Sequence, residues 1–431
     1  MKYQAVKGME DILPQDAVIW QQIERVVRGF LESWGFREIR TPVLEDTSVF
    51  VRSIGETTDI VTKEMFTFSD RKERSLTLRP EGTAPIVRAY IEHSLDKTYS
   101  ESEARLYYIG PMFRAENPQK GRQRQFHQIG AEIIGSRDVQ FDVEIIMQLD
   151  KMLRALGLEG FTIKLNTLGC SKDKAAFSEK LKAYLKGEKN MLCDDCKKRI
   201  DKNVLRVLDC KKEPCIHIAK GAPNIVDSLC NDCVQHFITV KAMLQGVGIS
   251  FVETKNLVRG LDYYTGTVFE IVHPSLGGQD ALGAGGRYDN LVKEMGGPDV
   301  GAVGYALGIE RILIALGNKI ESLRPAVVFF ATLGQDAKVK AFKLADELRR
   351  ACNNPHMLKV VALVGGMGGA SLKSQMRSAD KNEAKFVIII GDDEVARGEV
   401  TIRDMGTKEQ VSVKFTDIVN TMKEKLKGIL C

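Results

Sequence analysis

An α+β fold follows from three features of the chain. Two strand-like runs, 106–114 and 125–134, flank a polar, basic loop, as in an antiparallel pair with a long connection. A polar Lys- and Cys-rich stretch then interrupts the pattern, and strand-like, glycine-rich texture returns after it. The end of the chain alternates apolar runs (327–331, 359–364, 386–390) with amphipathic ones (336–352, 371–379). That alternation reads as βαβ units in a small α/β domain.

Pro14 stands where a helix starts, and Ile19, Ile23, Val26, Val27, Phe30 and Leu31 follow at helical spacing before Gly35 ends the run. A strand is expected over 36–42, stopped by Pro42. The stretch 55–74 has the texture of a lid, and 309–316 reads as a helix. At 431 residues the chain is too long for one core and implies two or three domains. The boundaries predicted are 1–170, an insertion over 171–246, a return over 247–320, and a last domain over 325–431.

The chain is 44% apolar and 28% charged, an ordinary globular composition. With 62 basic and 57 acidic residues its net charge is +5, too mild to mark a nucleic-acid binder by itself. The opening MKYQAVKGMEDILPQD has no apolar signal region, and no apolar run approaches a membrane span. Six of the nine cysteines fall between Cys193 and Cys233, unlike a secreted disulfide framework. A reducing, cytoplasmic location is expected.

Arginines carry the strongest chemical signal. Arg114 ends the first long strand, Arg122 and Arg124 follow in the loop, Arg259 lies in LVRGLDYYTG (257–266), and Arg311 in GYALGIER (304–311). The planar guanidinium fork matches phosphate oxygens. No GxxxxGK[ST] loop is present, so any nucleotide must be held by these arginines. The bland alternative for each is a solvated or ion-paired side chain. Gln128 and Glu132, four apart on a strand, share one face, with Gly130 clearing room between them. That face suits a polar pocket floor better than a core.

Three segments together resemble the signature motifs of class II aminoacyl-tRNA synthetases. They are the first helix and strand to Pro42, FRAE (113–116) through to Glu132, and GYALGIER (304–311). LVRGLDYYTG (257–266) and GGRYD (285–289) resemble the bacterial-type histidyl-tRNA synthetases in particular. The resemblance runs over the whole chain, including SLKSQMR (371–377) and GEVTIRD (398–404). It implies an antiparallel sheet flanked by helices, a mostly helical insertion and a C-terminal α/β anticodon-binding domain. It also implies activation of L-histidine by ATP, transfer to tRNA(His), Mg2+ alongside ATP, and a homodimer formed through the first helix and strand.

Residue by residue, the resemblance assigns Arg114 to the α-phosphate, Glu116 to the adenine amino group and Phe126 to stacking on the base. Arg122 joins the nucleotide site, and Arg311 covers the other face or reaches the γ-phosphate. Arg259 and Arg114 are the catalytic pair across the reacting phosphorus. Histidine recognition falls to Glu81, Gly82, Thr83, Gln128, Glu132, Tyr263 and Tyr264, with Arg114 and Arg259. Arg124, Lys373, Arg377 and Arg403 are the candidate tRNA contacts. The run 364–370, VGGMGGA, departs from the family's look in lacking aromatic or acidic residues.

CDDC (193–196) and CNDC (230–233) form a CxxC…CxxC pair, which could close a structural zinc site from Cys193, Cys196, Cys230 and Cys233. The resemblance implies no metal there, and packed reduced thiols are the competing reading. The runner-up function is a non-catalytic, histidine-sensing regulatory subunit. Such proteins lack the Arg259 segment and the last domain, both of which are present.

Overall fold

A six-stranded antiparallel sheet, with one short parallel strand at each edge, carries most of the chain in the computed structural model. The structure describes residues 3–56, 58–99, 103–119, 121–278, 280–317, 319, 325–353, 360–365 and 371–426.

Helix α1 (Pro14–Ser33) buries Ile19, Ile23, Val27 and Leu31, one residue per turn on a single stripe. The strand expected over 36–42 contracts to β1 (Arg37–Glu38). Beyond it only the Ile39 N–H reaches the neighbouring strand, at 2.8 Å from the Tyr107 carbonyl. The Thr41 carbonyl instead accepts from the buried Arg79 guanidinium at 2.9 Å, so the ladder cannot continue. Strands β2 (Leu44–Asp46), β3 (Phe66–Ser69) and β4 (Ser75–Leu78) form a small separate sheet. Helix α2 (Thr47–Ile54) and a π-helical turn, Ile60–Glu64, lie between β2 and β3. The stretch read as a lid is thus largely regular structure in its described residues.

Helices α3 (Thr83–Glu92) and α4 (Leu95–Thr98) lead to the hairpin β5 (Ala104–Phe113) and β6 (Gln125–Ile134), antiparallel in full register as the sequence predicts. Helix α5 (Gln140–Ala155) packs behind them, and β7 (Thr162–Thr167) follows. The next segment forms four α-helices: α6 (Ser171–Gly187), α7 (Asp194–Lys202), α8 (Glu213–Lys220) and α9 (Asn231–Gly246). Its apolar side chains, Phe177, Leu181 and Ile218 among them, join the same core as Tyr108, Tyr264 and Val268 of the sheet. Strands β8 (Val252–Glu253), β9 (Thr265–Val272) and β10 (Ala281–Arg287) follow, then α10 (Leu291–Glu294), β11 (Ala302–Gly308) and α11 (Ile309–Leu316). The sheet order is β1-β5-β6-β11-β10-β9-β7-β8.

The chain divides into two units, Met1–Asp11 with Val26–Gly317, and Ile12–Arg25 with Asn318–Cys431. The second holds β12 (Ala326–Leu333), α12 (Gln335–Cys352), β13 (Val360–Val364), α13 (Leu372–Lys381) and β14 (Phe386–Gly391), the three strands parallel. After α14 (Asp392–Arg397), β15 (Glu399–Asp404) and β16 (Gln410–Lys414) extend the sheet antiparallel, and α15 (Ile418–Lys425) closes the unit. Alternation sorts Val328, Phe330 and Ile388 to the face under α12 and α15, and Phe329, Ala331 and Val387 to the face under α13. Most of the run 364–370 lies outside the described residues.

Candidate active site

On β6 and β11, residues of one parity face a cavity of about 710 Å³, and the irregular start of β10 lies beside them. Phe126 and Gln128 of β6 line it, as do Ala306 and Gly308 of β11 and Ala284 of β10. Three glycine positions clear the room. Tyr108 lies between Gly82 and Gly130, where a Cβ on either would come within 2.2 Å of its ring. Across the ladder, a Cβ on Gly304 would fall 1.7 Å from Glu132 Oε2. The sheet is bare here because two large polar side chains lie flat on it.

The buried end of the cavity is acidic and phenolic. Glu81 accepts from the Thr83 and Ala84 N–H groups at 2.7 and 2.8 Å, at the N-terminus of α3. The Thr83 hydroxyl donates to Glu132 Oε1 at 2.7 Å, and Tyr288 donates to Oε2 at 2.5 Å. Burial pushes the Glu132 carboxyl up to about 8 against the pull of these two hydroxyls. Glu81 is also raised, by burial, with its two N–H donors and Arg114 opposing. Tyr263 and Tyr264 complete this end, their rings 4.7 Å apart. Burial raises Tyr264 to about 12 although Arg259 opposes it. The Gln128 Oε1 atom is buried with no hydrogen-bond partner among the described residues.

Six arginines line the cavity: Arg114, Arg122, Arg259 and Arg311, with Arg199 and Arg206 beside Asp59. Arg114 donates from Nε to the Pro80 carbonyl at 2.9 Å, and its guanidinium lies 5.2 Å from the Phe126 ring centroid. Arg122 pairs with Glu116 at 2.8 Å, and Arg259 pairs with Glu270 at 2.9 Å. Arg311 donates to the Ala281 carbonyl. Burial lowers the Arg311 pKa, and the positive charges of Arg122 and Arg114 lower it further. Arginines held this close favour a polyanionic ligand.

The structure therefore brings Glu81, Thr83, Arg114, Glu116, Arg122, Phe126, Gln128, Arg259, Tyr263, Tyr264 and Arg311 to one cavity. Gly82 and Glu132 stand behind its surface, Gly82 against Tyr108 and Glu132 under the Thr83 and Tyr288 hydroxyls. Arg124 turns away, donating to the Glu116 carbonyl at 3.2 Å. Lys373 and Arg377 are exposed on α13 and Arg403 is on β15, all in the second unit. The grouping of Cys193 and Cys196 with Cys230 and Cys233 is wrong. Cys193 and Cys196 converge with Cys210 and Cys215, whereas Cys230 and Cys233 converge with Cys170 and Asp173. The α6–α9 packing carries the two CxxC turns to different places.

Sequence reasoning missed Tyr288, Tyr108 and Glu270. Tyr288 lay unassigned inside GGRYD, and Glu270 was a lone acid in the apolar strand TGTVFEIV. It also missed Asp59, whose carboxylate takes Arg199 of α7 at 2.6 Å beside the cavity. Arg287 of the glycine-rich segment proves structural: it is 2% exposed, tied to Asp142 at 3.0 Å and to Asp289 at 3.1 Å.

Comparison with known proteins agrees with this geometry. The family model for histidyl-tRNA synthetase matches 8–184 and 230–312, and the anticodon binding domain model matches 327–425. A histidine–tRNA ligase of Thermosipho melanesiensis is 45% identical over 425 residues, 98% of this chain and 99% of its own. One of Syntrophomonas wolfei is 46% identical over 427 residues, again 98% and 99%. The crystal structure of S. aureus histidyl-tRNA synthetase superposes with a TM-score of 0.73 at 33% identity, covering 98% of this chain and 100% of that one. The Arg259 segment lines the cavity, and the last domain matches the anticodon binding domain model. The chain belongs to the histidyl-tRNA synthetase family of class II aminoacyl-tRNA synthetases.

Proposed function

We propose that the chain joins L-histidine to ATP, giving histidyl-adenylate and diphosphate, and passes the histidyl group to the 3′ end of tRNA(His), releasing AMP. The observation that carries this reading is one cavity lined by six arginines, Arg114, Arg122, Arg259 and Arg311 among them, together with a buried carboxyl–tyrosine recess. Histidine's imidazole and ammonium suit that recess, where Glu81, Thr83, Gln128, Tyr263 and Tyr264 line the wall and Glu132 stands behind Thr83. Polar groups left unpaired by an apolar amino acid would penalise it without any editing step.

The histidine carboxylate attacks the α-phosphorus, and the bond to the bridging oxygen of diphosphate breaks. Negative charge gathers on the phosphoryl oxygens, so preorganised cations lower the barrier. Arg114 and Arg259 are assigned to that charge from opposite sides. Adenine is assigned to Phe126, Glu116 and Arg311, with Arg122 on the phosphates. In this exchange, phosphate replaces Glu270 at Arg259 and Glu116 at Arg122, since each fork is already shaped for an oxyanion. Glu64, beside the nucleotide arginines and raised by burial and by Glu116, offers hard oxygens that would hold Mg2+, which when bound would neutralise the diphosphate.

Transfer needs tRNA on both units. Arg124 is proposed near the acceptor end, and Lys373, Arg377 and Arg403 at the anticodon. A homodimer through α1 and β1 and a cytoplasmic location complete the reading. No helix among the described residues is long and apolar enough to cross a membrane. Charging of tRNA(His) with labelled histidine tests it: ATP-dependent incorporation is expected, and its absence from folded protein would refute it.

A further inference from the structure

We propose that Cys193, Cys196, Cys210 and Cys215 are the thiolate ligands of one structural zinc ion in the helical insertion. Their Sγ atoms all lie within 4.8 Å of one another, and Cys193 and Cys210 are 4.0 Å apart. Zinc–sulfur bonds of about 2.3 Å place tetrahedral sulfurs roughly 3.8 Å apart, so the cluster needs only slight contraction. A disulfide needs about 2.05 Å between sulfurs, and none of the described cysteines forms one.

The sequence spacing is C-x2-C-x13-C-x4-C, two short-spaced pairs joined by a loop. Cys193 caps α7, and its backbone N–H points at Cys215 Sγ from 3.3 Å, the donor a charged sulfur requires. Cys196 and Cys215 are fully buried. Helix α7, DDCKKRIDK, buries only Cys196 and Ile200, too little apolar surface to hold itself in place. Small elements of that kind are commonly fastened by a metal.

The second convergence, Cys170, Asp173, Cys230 and Cys233, has another explanation. Both Asp173 oxygens already accept backbone N–H groups, from Cys170 at 3.1 Å and Cys230 at 2.9 Å, at the starts of α6 and α9. Cys230 is exposed. That group is read as a cap and serves as the internal control.

The zinc knot has a consequence for the cavity. Cys210, Lys211 and Lys212 form part of its wall, and α7 carries Arg199 to Asp59. The metal would fix this wall without touching substrate.

The test is metal content of the full chain from zinc-supplemented cells, by mass spectrometry. The parent should carry zinc, and Cys196→Ser/Cys215→Ser should lose one equivalent per chain. Cys230→Ser/Cys233→Ser should keep at least one. A parent without zinc or with iron in its place, a folded Cys196/Cys215 variant with the parent's zinc content, or full loss from the control overturns the assignment. Should the first variant not fold, Co2+ exchanged into the Cys230→Ser/Cys233→Ser chain decides. Strong visible bands and sulfur-to-cobalt charge transfer of a tetrahedral thiolate site support the proposal; a weak octahedral spectrum overturns it.

Discussion

Glu132 shows how one buried side chain ties stability to specificity. Its carboxyl sits at about 8, raised by burial from an ordinary 4.5. The folded chain keeps that proton where an unfolded chain has lost it. The stability Glu132 contributes is therefore full below about pH 4.5, falls as the pH rises, and is lost by about pH 8. Glu132→Gln removes the titration while keeping a donor and an acceptor for Thr83 and Tyr288. Thermal unfolding should show the variant gaining on the parent between pH 5 and 8; an unchanged difference would sink the argument. The same substitution should raise the KM for histidine by only about 2–10-fold, the net worth of a neutral hydrogen bond, because Glu132 holds its proton below pH 8 and acts through Thr83. Gln128 and Glu132 were legible in the sequence because their spacing of four on a strand is decided locally. Tyr288 was not, because it reaches Glu132 across 156 residues of chain. Glu270 and its bond to Arg259 depend on where a loop and a strand meet, which no local pattern encodes.

Among the elements, the strands that carry the site are built from small residues so that side chains can lie on them. Gly130→Ala would place a Cβ 2.2 Å from the Tyr108 ring. It should cost about 1–3 kcal/mol in denaturant unfolding, as overpacking does. It should also raise the KM for histidine, and unchanged values for both would mean that the slot has slack. The Arg287–Asp142 pair clamps β10 to α5, with neither side chain more than 2% exposed. Arg287→Met leaves Asp142 buried without its main counter-charge and should lower stability by about 3–5 kcal/mol. The helices α1 and α11 and the hairpin β5–β6 were readable because their apolar periodicity is long and uninterrupted. The first strand was overestimated because Arg79, 38 residues away, takes the Thr41 carbonyl that would have extended it. The pair β15–β16 went unread as strands because its outer member is largely exposed and weakly apolar.

At the scale of the whole molecule, the proposed function assigns the reaction to the first unit and anticodon contacts to the second. Lys373 and Arg377 lie four apart on the exposed face of α13, far in sequence from the cavity residues. Lys373→Ala/Arg377→Ala should raise the KM for tRNA(His) and leave histidine-dependent ATP–pyrophosphate exchange unchanged, which kinetics on both reactions will separate. Light scattering should return twice the 48.0 kDa chain mass, and a monomer would refute the dimer. The cysteine grouping shows the limit of reading this scale from sequence: two identical CxxC spacings suggested one site, and the helices between them carry the two pairs to separate clusters. In the proposed reaction Arg114 and Arg259 stabilise the charge on the α-phosphate as histidine attacks it. ATP–pyrophosphate exchange with each of the twenty amino acids, on the parent and on Arg259→Ala, tests that most directly. Exchange is expected with histidine alone, reduced about 10²–10³-fold in a variant that still binds histidine, the typical cost of removing one charge-stabilising donor. Exchange with another amino acid, or an Arg259→Ala variant as active as the parent, would contradict the proposed reaction.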